Sequence, residues 1–354
     1  MSRIWVICGS GGVGKTTVAA ALAVALAGLG RTVALLTVDP AQRLADALGL
    51  PLANGWTTLP LLCPGRVDAA MLDRRSAWED LVRRELGDEA EGLLAHPIAQ
   101  AVGTRLGGSH EYLALERLER TASAGTWQDI VVDTPPASHA LELLRGPARL
   151  RRAFDPAVMG ALRASTSFAR RGLGVVARVA GSELFSEIGG FFSLAGALAP
   201  VLRTRGAGAA RLLRSDATRA LWVARPDSED LVALDAFRAA LVPLGVRAGA
   251  VVANRTESRP AHSEVLASDP PPPRGISAET WGPWCSAVRG HLRLADARGE
   301  RCERGVRRMA AVSGLPVWPL PEVGLEGLAG IQRLGCHLAA PLRAWPTESA
   351  NPHL

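Results

Sequence analysis

The segment GSGGVGKTT, Gly9 to Thr17, has the residue types and spacing of a phosphate cradle. Its glycines let successive backbone N–H groups turn inward toward an anion, and Lys15 is placed to reach terminal phosphates. Gly11, Gly12, Val13, Gly14, Lys15, Thr16 and Thr17 are therefore the expected nucleotide-binding residues, with the Thr16 hydroxyl as a ligand of Mg²⁺. Two carboxylates extend this chemistry. Asp39 opens DPAQRLADALG and Asp133 opens DTPPASHALELL, each directly after an apolar run. Asp133 suits a metal-linked carboxylate and Asp39 a base that orients an attacking water. For both, the alternative is a helix N-cap, which the residues after Asp39 also resemble.

These groups can meet only if particular elements carry them. RIWVIC, residues 3 to 8, reads as a strand that runs into the glycine loop, and the alanine-rich stretch from Thr17 to Leu29 as the helix that follows. That helix would direct its positive N-terminal end at the bound phosphates. Further strands are expected at Thr32 to Val38, Asp129 to Val132, Arg219 to Ala224 and Val246 to Ala253. In a parallel sheet the C-terminal ends of such strands share one edge, so Lys15, Asp39 and Asp133 would converge there. The fold expected is α/β: a doubly wound, mostly parallel sheet of the P-loop nucleotide-hydrolase kind with an inserted helical subdomain.

The chain has 354 residues with 48% hydrophobic and 21% charged residues, enough to bury a sizeable core. We expect a single domain over 1–340, a helical insertion at 147–218, an exposed connector at 256–274 and a flexible tail at 341–354. No uninterrupted apolar run suits a membrane span, and five scattered cysteines fit a reducing compartment, so a cytoplasmic location is expected. The net charge of +6 would attract polyanions, but it is arginine spread along the chain, with six Phe and one Tyr beside nine Trp. Nucleic acid is not an expected partner. Lys15 is the only lysine, which suggests that this one position needs an ammonium rather than a guanidinium.

GSGGVGKTT, TVDPAQRLADALG, VVDTPPASHALELLRGP, VVANR and PLPEVGLEGLAGI, in this order, resemble the arsenical pump-driving ATPase family, which includes the ATPases that target tail-anchored membrane proteins. The resemblance implies ATP hydrolysis with Mg²⁺, with Lys15 and Asp39 as catalytic residues and Thr16 and Asp133 at the metal. It implies that the segment from Asp133 to His139 is a second switch, that Asn254 reads adenine, and that a loop at Pro319, Leu320 and Pro321 closes over the base. It also implies a homodimer, or a heterodimer with a related ATPase, and a hydrophobic helical client or membrane protein as partner. One position departs from the pattern. The family loop reads GKGGVGK, and its first lysine reaches the partner's nucleotide; here that position is Ser10. Slow turnover, or a cation from another residue or subunit, is the consequence expected.

Between 147 and 218 the sequence reads as helices, and Leu184, Phe185, Ile188, Phe191, Phe192 and Ala195 make an apolar face broad enough for a client groove; packing within the subdomain is the alternative. The leading expectation is thus an ATPase that switches a helical client- or partner-binding surface. Its rivals are a positioning ATPase that binds DNA or membrane in its ATP state, and a weakly hydrolysing regulatory subunit.

Overall fold

The computed structural model describes residues 2–39, 42–95, 109–135, 140–146, 200–201, 203–226, 231–260, 271–324 and 326–345. Eight strands form one sheet in the order β3-β4-β2-β5-β1-β6-β7-β8. They are β1 (Arg3–Gly9), β2 (Thr32–Thr37), β3 (Thr57–Thr58), β4 (Arg66–Met71), β5 (Asp129–Asp133), β6 (Thr218–Ala224), β7 (Ala248–Thr256) and β8 (Val317–Pro321). Every pairing is parallel except the one between β3 and β4. The expected mostly parallel, doubly wound α/β sheet is therefore what forms.

Helices cover both faces, because the strands are apolar on both. Along β1, Ile4, Val6 and Cys8 point into one core while Trp5 and Ile7 point into the other. The second core is built on α1 (Lys15–Gly28), with α2 (Arg43–Leu48) and a C-terminal helix, Gly327–Arg343. Residues 18 to 27 of α1 are buried all round, which explains its alanine content: the helix lies between the sheet and the C-terminal helix. There is no room for longer side chains. At Gly335 an added Cβ would stand 3.1 Å from the carbonyl oxygen of Ala21.

The first core is lined by α3 (Arg74–Leu86), α4 (Ala90–Leu94), α5 (Ser109–Ser123), α6 (residues 140–146), α7 (residues 203–214), α8 (Leu231–Leu241) and the long α9 (Ala278–Ser313). The C-terminal helix is α10. Asp73 caps α3 by accepting from the Ser76 N–H at 2.8 Å, and Ser277 caps α9 by accepting from the Thr280 N–H. Each cap satisfies one donor that the first turn leaves without an intrahelical partner.

Two boundaries differ from expectation. Residues 341–345 of the expected tail are packed instead, since α10 continues to Arg343, Leu342 is buried, and Trp345 packs edge-on against both Trp5 and Trp318, while 346–354 lie outside the described residues. These apolar side chains have core to fill, which a mobile tail would leave in water. The last part of the expected 147–218 insertion is also core. Ala209, Leu212 and Leu213 on α7 are buried against the first core, and Arg205 reaches Glu119 on α5 at 3.0 Å. The rest of that expectation, including Phe191 and Phe192, lies outside the described residues, as does His139. Of the expected connector, 261–270 is likewise outside, while Arg259 pairs with Asp296 of α9 at 2.7 Å.

Both outer strands are poor in available backbone. β3 has only two residues. In β8 the carbonyl of Pro316 accepts from Val251 on β7, so by alternation Pro319 and Pro321 face away from β7.

Candidate nucleotide site

The glycine loop joins β1 to α1 over the C-terminal edge of the sheet, and its shape depends on two glycines in particular. Gly9 has φ of 151°, and a Cβ there would collide with the carbonyl of Val223 on β6. Gly14 has φ of 92°, and a Cβ there would run into the side-chain amide of Asn254. That amide donates to the carbonyl of Val13 at 2.8 Å, buried, across 241 residues of sequence.

Asn254 therefore clamps the loop from β7. It lies inside the strand, which runs to Thr256, rather than ending it at Ala253 as expected. Arg255, next to it, has a positive φ of 56°, and the pairing with β8 shifts register between Asn254 and Thr256. Such an irregularity re-aims the neighbouring side chain. Gly14→Ala is expected to cost about 2 kcal/mol or more through strain and collision. Gly14→Ala with Asn254→Ala should recover the collision part alone, as compared by urea denaturation of both variants.

Lys15, the first residue of α1, is buried, and its Nζ donates to the carbonyl of Ser10 at 2.8 Å. The ammonium is thus folded back under the loop. Burial pushes its pKa down, while the charges of Asp133, Cys8 and Asp39 pull it up and that of Arg43 lowers it again. A bound polyphosphate would counter the desolvation that disfavours this charge.

Asp133 ends β5 between β1 and β2, opposite Ile7 on one side and Thr37 on the other. Its Oδ2 accepts from the Thr37 hydroxyl at 3.0 Å. Its Oδ1 is buried with no hydrogen-bond partner. Burial raises the carboxyl to a pKa of about 6, opposed by the hydroxyls of Thr16 and Thr37. The Thr16 hydroxyl thus acts on this group without satisfying Oδ1.

An orphaned, fully buried carboxylate oxygen beside a hydroxyl is a donor set that a hard dication fits, and Mg²⁺ takes this kind of oxygen ligand. Thr16 and Asp133 would hold it, directly or through its waters. The sign of the shift gives a test on the metal-free protein. A carboxyl whose folded pKa is raised contributes stability below its ordinary pKa of 3.8 and loses it as pH rises through about 6. That difference corresponds to about 3 kcal/mol. Asp133→Asn should therefore melt higher than the parent at pH 8 in EDTA and draw level with it near pH 4. An unchanged gap across that range would count against the burial of a charge here.

Asp39, just past β2, is also buried, and its backbone N–H lies 3.3 Å from the Thr37 hydroxyl. Its Oδ2 accepts from Nη1 of Arg43 at 3.1 Å. The N-cap position of α2 belongs to Gln42, which makes no side-chain cap bond. Asp39 and Asp133 both act on Lys15, so the three groups expected to converge do stand together on one edge.

Leu320 and Pro321, expected on a loop over the base, are instead in β8. The Leu320 side chain is wholly buried in the core on the α1 side, because its alternation in the strand turns it inward. Only its backbone and Pro321 remain near the sheet edge. Cys8 is buried, and desolvation pushes its thiol up to about 12.

Several functional groups were not anticipated from sequence: Thr37, which orients Asp133; Thr134, whose hydroxyl ties the end of β5 to the carbonyl of Ile7 at 2.6 Å; and Arg43. A hydroxyl at the end of an otherwise apolar strand, as in TVALLT, is the signal that could have found the first. No helix among the described residues is long and apolar enough to cross a membrane.

Comparison with known proteins bears on the first half of the chain. Residues 2–173 match the anion-transporting ATPase family. The chain is similar to the ATPase GET3 of Malassezia globosa, 30% identical over 157 residues that cover 42% of this chain and 44% of the relative. It is similar to the ATPase get3 of Aspergillus terreus at 30% over 160 residues, 42% of this chain and 45% of the relative. A putative arsenical pump-driving ATPase of Chlorobaculum tepidum is 32% identical over 152 residues, 42% of this chain and 36% of the relative.

The chain thus spans less than half the length of the curated relatives it matches. The family match ends at 173, short of Asn254 and the strand β8. Within it lie the glycine loop and both site aspartates, on the parallel sheet that brings them together, so the part of the chain that is similar to the anion-transporting ATPase family is the part that carries the phosphate-binding groups.

Proposed function

We propose that this protein is a Mg²⁺-dependent ATP hydrolase of the arsenical-pump and tail-anchor-targeting type. On this reading it works as a homodimer or with a related ATPase and uses its nucleotide state to switch a helical client- or partner-binding surface. The observation that carries the reading is the convergence of Lys15, Asp39 and Asp133 on one sheet edge beneath the glycine loop.

In this mechanism the loop N–H groups and the N-terminal end of α1 bind the phosphate oxygens, and Lys15 exchanges the Ser10 carbonyl for them. Mg²⁺, when bound, supplies charge neutralisation on the leaving phosphates. Asp39 accepts a hydrogen bond from the attacking water and takes its proton as the water oxygen bonds to the γ-phosphorus and the bond to the β–γ bridging oxygen breaks, with ADP as the leaving group. Thr37 holds Asp133 in place, and Thr134 fixes the end of β5 against β1. Asn254 shapes the loop, and with the backbone of Leu320 and with Pro321 it supplies the base side of the site.

Calorimetric titration with MgATP and MgADP, followed by phosphate release, tests the reading; no heat of binding with either nucleotide would overturn it. Ser10 favours one narrower version, a weakly hydrolysing subunit of a heterodimer, because the loop brings a single cation to the γ-phosphate. Single-turnover hydrolysis with and without a related ATPase subunit separates the two.

A further inference from the structure

Phosphoryl transfer concentrates negative charge on the γ-phosphate oxygens, and sites of this kind set more than one cationic group around them. The glycine loop supplies Lys15 alone. Another cation already stands in the site. Arg43, the first residue of α2, donates to Asp39, four residues earlier and just past β2, at 3.1 Å.

The two partners are unequally placed. The Asp39 side chain is 11% exposed and that of Arg43 is 62% exposed, so the carboxylate is fixed in the site while the guanidinium can swing away from it. Its charge is also felt by the Lys15 ammonium, which puts it within electrostatic range of the loop.

Fold stability does not account for the pair, since an ion pair whose cation is largely in solvent stabilises little. The helix that bears Arg43 is firmly seated. Leu44 and Leu48 are buried in the core against α1 and α10, and Gly49 abuts Gly327. The backbone therefore holds the arginine at the site while its side chain keeps its freedom. A guanidinium forms stronger, bidentate hydrogen bonds with phosphate than this single bond to a carboxylate.

We propose that Arg43 senses the γ-phosphate, leaving Asp39 for the terminal phosphate of ATP and standing beside Lys15 as a second cation. The inference rests on the nucleotide reading above. Two effects follow from one movement. The terminal phosphate gains charge stabilisation, and the Asp39 oxygen that Arg43 had occupied is released to accept a hydrogen bond from the attacking water. ADP offers no terminal group, so Arg43 stays on Asp39 and the base remains restrained. Hydrolysis is then coupled to recognition of the triphosphate by residues of one chain.

The test uses the full chain with Arg43→Ala and Arg43→Lys, titrated calorimetrically with MgADP and with MgADP plus beryllium fluoride, which mimics the γ-phosphate. Arg43→Ala should bind MgADP within about twofold of the parent, and its preference for the beryllium fluoride complex over MgADP should fall at least about tenfold. Single-turnover hydrolysis should fall by more than about tenfold, with Arg43→Lys between the two. The melting temperature without nucleotide should stay close to the parent's.

An unchanged preference in Arg43→Ala, with the parent binding both ligands, overturns the inference alone. An equal loss for both ligands together with a lower melting temperature assigns Arg43 to structure and also overturns it. A parent that binds neither ligand, with Lys15→Ala indistinguishable from it, overturns the nucleotide reading and this inference with it.

Discussion

Lys15→Ala is expected to weaken MgATP binding by at least about 100-fold, equivalent to about 3 kcal/mol. Lys15 is the one ammonium in the chain, and it lies buried under the loop with its Nζ on the Ser10 carbonyl. Without it the loop amides face the polyphosphate with Asp39 and Asp133 nearby and no ammonium beneath the loop to offset their charge. Lys15→Arg is expected to fail as well, because a forked guanidinium does not fit where a slim stem ends on one carbonyl. Calorimetry on both variants decides the matter. Affinity within threefold of the parent in Lys15→Ala would remove the loop from the binding site.

Asp39→Asn should show the opposite separation. MgATP binding is retained, while single-turnover hydrolysis drops by about 10² to 10⁴, since an amide can hold a water but cannot take its proton. Arg43 loses its carboxylate partner in this variant, so binding of the triphosphate should be undiminished or tighter. Rapid-quench measurement of phosphate formation reads the rate, and a parental rate would assign Asp39 to orientation of α2.

The parts of this molecule that were legible in its sequence are those where one local pattern had one structural solution. The glycine loop needs a strand before it and a helix after it, and β1 and α1 fall within two residues of expectation. The strand-end positions of Asp39 and Asp133 were legible because each follows a largely apolar strand. β4 was not, because RVDAAM has a carboxylate at its centre. Asp68 is nonetheless buried there, accepting from the Trp127 indole at 2.7 Å, from the Thr58 hydroxyl at 2.7 Å and from Arg66 at 3.0 Å. These partners offset its desolvation; Arg66 is in the same strand, but Thr58 lies on β3 and Trp127 is 59 residues away, beyond the local pattern that marks a strand.

Asn254 shows the same limit at the site. Its position at the end of β7 was readable, but its hold on Val13 depends on the register of β6 and β7 beside β1. Leu320 was misplaced because the family resemblance implied a loop there, whereas prolines are admissible in a strand whose outer side has no neighbour among the described residues.

Those two prolines constrain how copies of this protein can assemble. A sheet grows by lending outward N–H groups to the next chain, and at β8 Pro319 and Pro321 stand where two such donors would be, so that margin leaves an incoming strand the Val317 N–H as the outward donor of β8. At the opposite margin, β3 is two residues long and presents too short a ledge for stable addition. Continuous sheet across two molecules is thereby disfavoured at both ends. Among the described residues this leaves the helices and the strand-end surface that carries the loop as faces for association, and contact across the latter would be sensitive to what occupies it.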